Sequence, residues 1–315
     1  MKNKNLNQAK KVKNDEFYTQ LKDIENECQH YIEQFKDQWI YLPCDTEESN
    51  FWKYFVDHFN EFKLKRLTAT HINLDGTPSY RLDYDGSEVI KTVLKGNGGF
   101  NTPEGIALIQ EADIIVTNPP FSLFREFIAL LMQYDKKFLI LGNMNAITYK
   151  EVFPLIKDNK IWAGCKCFGG GMDMIQPEET FDKSKTTSFS INEKGEIIKN
   201  IMGVIWFTNL DHKKRHEPLD LYKKYNPEEF PKYDNYDAIE VSKVCEIPED
   251  YDGVMGVPIT FLDKYCPEQF ELIWTTDRGG DGMMEDLKIL PFDKSWDSAW
   301  INGQKVYKRI FIKRK

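Results

Sequence analysis

Asn118, Pro119, Pro120 and Phe121 are the residues whose types and order are best suited to chemistry in this chain. A planar amino group is a poor nucleophile because its nitrogen lone pair is delocalised. It becomes reactive when acceptors draw its two hydrogens out of the plane. The side-chain carbonyl of Asn118 and the backbone carbonyl of Pro119 are two such acceptors. Successive prolines fix φ and remove N–H donors that would compete at the site. Phe121 adds an apolar face on which a flat base can stack, worth about 1–3 kcal/mol per base. Asn is no base at neutral pH, so the loop must work by positioning an amine against an electrophile that is already activated. The same four letters also describe a turn after a strand. Their context, after an apolar run and before an amphipathic one, favours the chemical reading. A glutamine amide poses the same electronic problem as a ring amine and stays open as a substrate.

The elements that must hold this loop follow from periodicity. Asp113–Val116 reads as a short buried strand leading into it. Ser122–Tyr134 reads as a helix with Leu123, Phe124, Phe127, Ile128 and Leu131 inward. Upstream, Leu21 to Phe35 has helical spacing, and Trp39–Leu42 reads as a strand entering a turn at Pro43–Glu48. Ser49 is placed to cap a helix with Phe51, Trp52, Phe55, Val56 and Phe59 inward. Leu67–Ile72 reads as a strand, and Thr102-Pro103-Glu104 as a helix start. Phe138–Leu141, Ile161–Ala163 and Val204–Phe207 read as further strands. Thr148–Glu151 has capping-box spacing and predicts a helix start there. Asn192–Gly195 predicts a hairpin turn. The stretch from Asp75 to Gly99 resists assignment. Alternation of strands and helices predicts an α/β fold with a mostly parallel sheet covered on both faces, ligands lying beyond the carboxyl ends of the strands. The turns after Leu42 and Val116 lie at such ends. Alternation stops near residue 210, so the expected division is 1–210 and a more irregular 211–315.

The composition is that of a globular protein, with 41% hydrophobic and 29% charged residues. No apolar run is long enough to span a bilayer, and residues 1–13 lack the apolar core of a signal peptide, so a cytoplasmic location and no membrane partner are expected. The six scattered cysteines read as free thiols, and no metal site is expected. Net charge is −8, yet residues 1–13 carry five Lys and residues 301–315 six Lys or Arg, with no acid in either. Without those eleven, residues 14–300 hold 31 basic and 50 acidic groups, a net of −19. Phosphate binding depends on local potential over a Debye length of about 8 Å, so basic ends permit a polyanionic partner despite the overall sign.

Several long segments resemble one family, the EcoRI-type adenine-specific DNA methyltransferases. They are Asp15–Thr19, Thr117–Phe124, Pro231–Ile239, Gly253–Leu262, Pro267–Ile273 and Tyr307–Ile310. The resemblance implies a Rossmann-like methyltransferase fold with a C-terminal recognition region, S-adenosylmethionine as donor, and double-stranded DNA carrying a flipped adenine as substrate. It implies a restriction–modification or phage-protection setting. By the same resemblance Asn118–Phe121 form the catalytic loop, and Phe17, Tyr18 and Thr19 close over the methionine end of the donor. Asp45, Ser49, Asn50 and Phe51 occupy the loop after the first strand, where many methyltransferases carry glycines that this chain lacks. Asp45 is a candidate partner for the donor's ammonium group; stabilising its own turn is the alternative. Asn97 and Phe100 lie where an acid would accept from the donor's adenine amine, a glycine turn being the alternative. No residue matches the acid that holds the ribose, and Asp75 is the one candidate offered. Lys213, Lys214, Arg215 and Arg278 are expected DNA contacts, a solvated loop being the alternative for the first three. No apolar seam predicts a dimer, so a monomer is expected.

Overall fold

The computed structural model describes residues 17–73, 75–178, 181, 188–276, 287–293 and 297–315. Arg278 and the basic segment 1–13 lie outside the described residues. The chain forms two compact units, Met1–Met144 with Gly164–Asp211 and Asn145–Ala163 with His212–Lys315. The grouping of 145–163 with the C-terminal part is a non-local packing result that no linear pattern announces.

In the first unit, β1 (Tyr18–Thr19) leads into α1 (Leu21–Cys28). There follow β2 (Trp39–Pro43), α2 (Asn50–Asp57), β3 (Arg66–Thr70), β4 (Tyr80–Tyr84) and β5 (Val89–Val93). Then come α3 (Pro103–Glu111), β6 (Ile114–Thr117), α4 (Phe124–Gln133) and β7 (Lys137–Asn143). After the excursion into the second unit come β8 (Met172–Gln176), β9 (Ser190–Ile191), β10 (Ile197–Ile201) and β11 (Val204–Thr208).

Within the first unit the main sheet runs β5-β4-β3-β2-β6-β7-β11. Its centre, β3-β2-β6-β7, is parallel, as alternation predicts. The flanks are antiparallel, β4 and β5 on one side and β11 on the other, which corrects the expectation of a mostly parallel sheet. The reason is connection length. A parallel neighbour needs a crossover of a dozen or more residues, and the links from β3 to β4 and from β4 to β5 are shorter. These two strands account for much of the unassigned stretch 75–99. β1, β8, β10 and β9 pair antiparallel in a separate small sheet.

Alternate strand residues point to opposite faces. On one face Ile40, Leu42, Leu67, Ile114, Val116, Leu139 and Leu141 join Ile24 of α1 and Phe51, Trp52 and Phe55 of α2 in one core. On the other, Phe124 of α4 packs on Phe207 of β11, ring centroids 5.0 Å apart. Helices therefore cover both faces. The helix expected over 21–35 breaks after Cys28 and resumes as one turn at Ile32–Phe35, still burying Ile24, Cys28, Tyr31 and Phe35.

In the second unit, β12 (Ile239–Glu240), β13 (Met255–Pro258), β14 (Phe270–Thr275) and β15 (Arg309–Arg314) form a sheet in the order β12-β13-β15-β14. The helix predicted to open at Thr148 is absent there: Met144–Thr148 is a 3-10 turn, and the helix starts at Phe153, with Pro154 in its first turn. Thr148 instead donates to the Asn145 carbonyl at 3.2 Å. Among the described residues, no helix is long and apolar enough to cross a membrane.

Candidate active site

Two loops leave the sheet at the carboxyl ends of adjacent parallel strands. One follows Pro43 of β2, the other Thr117 of β6. Ligands gather at such ends. Thr117 ties the loops together, its Oγ1 lying 2.8 Å from the Pro43 carbonyl oxygen and 3.3 Å from Asp45 Oδ2. A hydroxyl has one hydrogen, so it serves one of these acceptors at a time.

Asp45 is buried, and its side-chain partners among the described residues are the hydroxyls of Ser49 and Thr117. Burial, opposed by those two hydrogen bonds, pushes its carboxyl up to about 7. A carboxylate taken out of water without a cation beside it is costly. A positively charged ligand group would remove that cost.

Ser49 caps α2 as its sequence position predicts, its Oγ accepting from Trp52 N at 3.0 Å. Asn50 Nδ2 donates to the Thr19 carbonyl at 2.8 Å, which pins β1 beside the loop. Phe51 is buried edge-on against Trp206. Thr19 is buried too, and its Oγ1 has no hydrogen-bond partner. Buried polar groups are nearly always satisfied, so the orphaned Thr19 hydroxyl is an exception that a bound ligand would explain. Tyr18, its neighbour, is exposed.

Asn118 is half-buried, and its Nδ2 donates to the Phe17 carbonyl at 2.7 Å. A carbonyl can only accept, so the amide's nitrogen end must face Phe17. Its Oδ1 is left for an incoming donor, and among the described residues nothing donates to it. Pro119 is buried, Pro120 is half-buried, and Phe121 packs part of its ring on the core that carries β2 and β6. The structure thus holds these residues in three hydrogen-bonded groups, Asn118 with Phe17, Asn50 with Thr19, and Asp45 with Ser49 and Thr117, which chain neighbours (Thr117–Asn118 and Ser49–Asn50) tie together. Two of these links were missed in sequence: Thr117 as the bridge, and the Phe17 backbone as the group that orients Asn118. A threonine just before the Asn was the one readable signal.

Other candidates sit apart from this chain of contacts. Asn97 spends its side chain on backbone groups of two loops, donating to Asn73 O at 3.2 Å and accepting from Gly99 N at 3.3 Å. Phe100 is buried against Phe127 of α4. Asp75 is exposed and accepts from Thr77 N and Oγ1 at 2.9 and 2.7 Å, a turn-stabilising pattern. In the second unit Lys213 is exposed. Lys214 pairs with Asp263 at 2.7 Å, and Arg215 stacks over the Trp162 ring while bonding Asn159.

Strand-end loops in an α/β fold thus carry an oriented Asn-Pro-Pro-Phe segment whose preceding Thr117 bonds a buried carboxylate. The profile described as adenine-specific methyltransferase EcoRI matches residues 5–315. Type II methyltransferase M.EcoRI of Escherichia coli is 45% identical, covering 99% of this chain and 97% of that protein. Type II methyltransferases M.MgeORF184P of Mycoplasma genitalium and M.MpnI of Mycoplasma pneumoniae are each 39% identical, covering 98% of either chain. No solved structure matches significantly. The chain belongs to the EcoRI family of adenine-specific DNA methyltransferases, enzymes of the restriction–modification type.

Proposed function

We propose that this chain transfers a methyl group from S-adenosylmethionine to the exocyclic N6 of an adenine swung out of duplex DNA, working as a cytoplasmic monomer. The observation that carries the proposal is Asn118, whose amide is turned by the Phe17 carbonyl so that Oδ1 is left to accept. On this reading Asn118 Oδ1 and the Pro119 carbonyl accept the two amine hydrogens and restore the nitrogen lone pair. Pro120 holds the loop, and the exposed part of Phe121 stacks on the extruded base. The donor, when bound, supplies a sulfonium-activated methyl group. Asp45 fits its ammonium group and Thr19 Oγ1 its carboxylate, while Ser49, Asn50 and Phe51 hold the loop that carries Asp45. The proton released by the amine passes to water, since no group in the loop is a base at neutral pH.

We read the first unit as a Rossmann-like methyltransferase domain, supported by its parallel centre and by two loops at strand carboxyl ends. The second unit is then the target reader, in which Lys213 contacts phosphate and Lys214 and Arg215 hold the Lys213 turn. The roles of Tyr18, Asn97, Phe100 and Arg278 stay as the family resemblance implies. Expression in a host without adenine methylation tests the proposal. Genomic DNA should acquire N6-methyladenine at one short sequence. Methyl label appearing in RNA or protein, with none in DNA, would overturn it.

A further inference from the structure

The second unit presents one aromatic side chain on an unusually fixed backbone. Tyr307 is 67% exposed. Its neighbours are pinned on both sides. Val306 N donates to the Ala299 carbonyl at 2.8 Å. Lys308 Nζ donates to Thr148 Oγ1 and Asn145 Oδ1 at 3.3 and 3.4 Å. Arg309 exchanges backbone and side-chain bonds with Thr276, at 3.0 Å from Thr276 N and 2.9 Å to Thr276 Oγ1.

Arg309 also grips the loop from beneath. Its Nη1 donates to the carbonyls of Tyr307 and Lys308 at 2.9 and 3.2 Å. Its Nε and Nη2 form a bidentate pair with Glu240, the shorter contact 2.6 Å, and Glu240 is 5% exposed. Tyr233 OH donates to the same carboxylate. The preceding hairpin, Trp300–Ile301 with Gln304–Lys305, turns through Asn302 and Gly303 at φ 50° and 72°, the geometry of a tight two-residue turn. Asp234 caps that turn by accepting from both turn amides. A hairpin, a buried ion pair and a Lys anchor together fix the backbone around one solvent-facing ring.

Fixing a contact residue before binding removes the entropy cost of ordering it later. Among the described residues the Tyr307 side chain makes no hydrogen bond or ring contact, yet the backbone that carries it is heavily bonded. The segment 301–315 carries six Lys or Arg and no acid, so its charge complements a polyanion. A rigid aromatic within a basic segment is a common composition for contact with nucleic acid, the ring packing on sugar or base and the hydroxyl bonding phosphate. We infer that Tyr307 is a DNA-contact residue of this enzyme and that Arg309, through Glu240, is its positioning residue. The inference rests on the proposed DNA substrate.

The test uses the full chain and a duplex containing the methylated sequence, identified by sequencing DNA from expressing cells. Binding is followed by fluorescence anisotropy, and donor binding by calorimetry. Tyr307→Ala should weaken duplex binding by about 10-fold, the effect of losing roughly one stacked or bonded ring, with donor affinity unchanged. Tyr307→Phe should recover the part due to packing. Glu240→Gln, which keeps size and a hydrogen-bonding end, should weaken duplex binding in the same direction while leaving donor affinity alone. Duplex binding by Tyr307→Ala equal to wild type would overturn this inference and leave the proposed function standing. A wild-type chain that binds no duplex would overturn both.

Discussion

At the scale of single residues, two side chains, Asn118 and Asp45, carry the proposed chemistry. Asn118→Ala should abolish methyl transfer, lowering the single-turnover rate by about 100-fold or more, the loss seen when one preorganised acceptor or donor leaves a site. Donor and duplex affinities should change little. Asp45 gives a pH dependence with a definite sign. Its folded-state carboxyl sits at about 7, above the value near 3.9 of an unfolded Asp. Between those values the ligand-free fold binds one proton more than the unfolded chain. The stability this contributes is full below about pH 4 and lost as pH rises through about 7. Donor binding has the opposite sign, since an ammonium group needs the carboxylate. Donor affinity should rise by up to about 10-fold per pH unit below pH 7 and level off above it. Calorimetric titration from pH 5.5 to 8.5 checks this, and Asp45→Asn should flatten the curve.

At the scale of elements, packing limits what the strands and helices tolerate. A Cβ at Gly142 of β7 would stand 2.5 Å from the Phe124 ring of α4 and 2.9 Å from Phe207. Gly142→Ala should therefore cost about 1–3 kcal/mol by overpacking, read from chemical denaturation. Glu27 at the end of α1 is buried and accepts from Cys165 N and Lys166 N at 2.6 and 2.9 Å and from Tyr31 OH at 2.9 Å. Glu27→Ala strands those donors and should cost about 3 kcal/mol or more. Nothing in the sequence around Glu27 announces that clasp, because its two backbone donors lie far along the chain. Local signals fared better. Thr102 caps α3, with its Oγ1 accepting from Gly105 N at 3.1 Å, and Gly195 closes the 192–195 turn at φ 81°. Ser49 caps where expected for the same reason: a cap is decided by neighbours in sequence. β4 and β5 escaped because β5 is exposed along its whole length and shows no alternation. The Thr148 start failed because capping-box spacing lost to Pro154, which fixes a helix beginning farther on. In the proposed site, the Asn-Pro-Pro-Phe segment stands out in the sequence by its chemistry. The orienting Phe17 carbonyl does not, since any residue could supply it.

At the scale of the whole molecule, charge distribution matters more than its sum. A net charge of −8 would oppose DNA if it were spread evenly, but both ends are basic. Deleting residues 1–13, which carry five Lys, should weaken duplex binding and reduce the slope of log affinity against log salt. The reduction would be up to about 4.5 if every Lys meets a phosphate, at roughly 0.9 per contact. Anisotropy titrations at 50–200 mM salt read that slope. An unchanged slope would remove the arm from the DNA contacts without touching the catalytic account.

The central claim is that the Asn118 amide holds an adenine amine for methylation, and one measurement reaches it most directly. Wild type and Asn118→Ala, each saturated with donor and with the cognate duplex, are compared in a single turnover, with N6-methyladenine quantified by mass spectrometry. The account predicts methyl transfer by wild type and almost none by the variant, although both bind duplex and donor. Transfer by Asn118→Ala at the wild-type rate would contradict it.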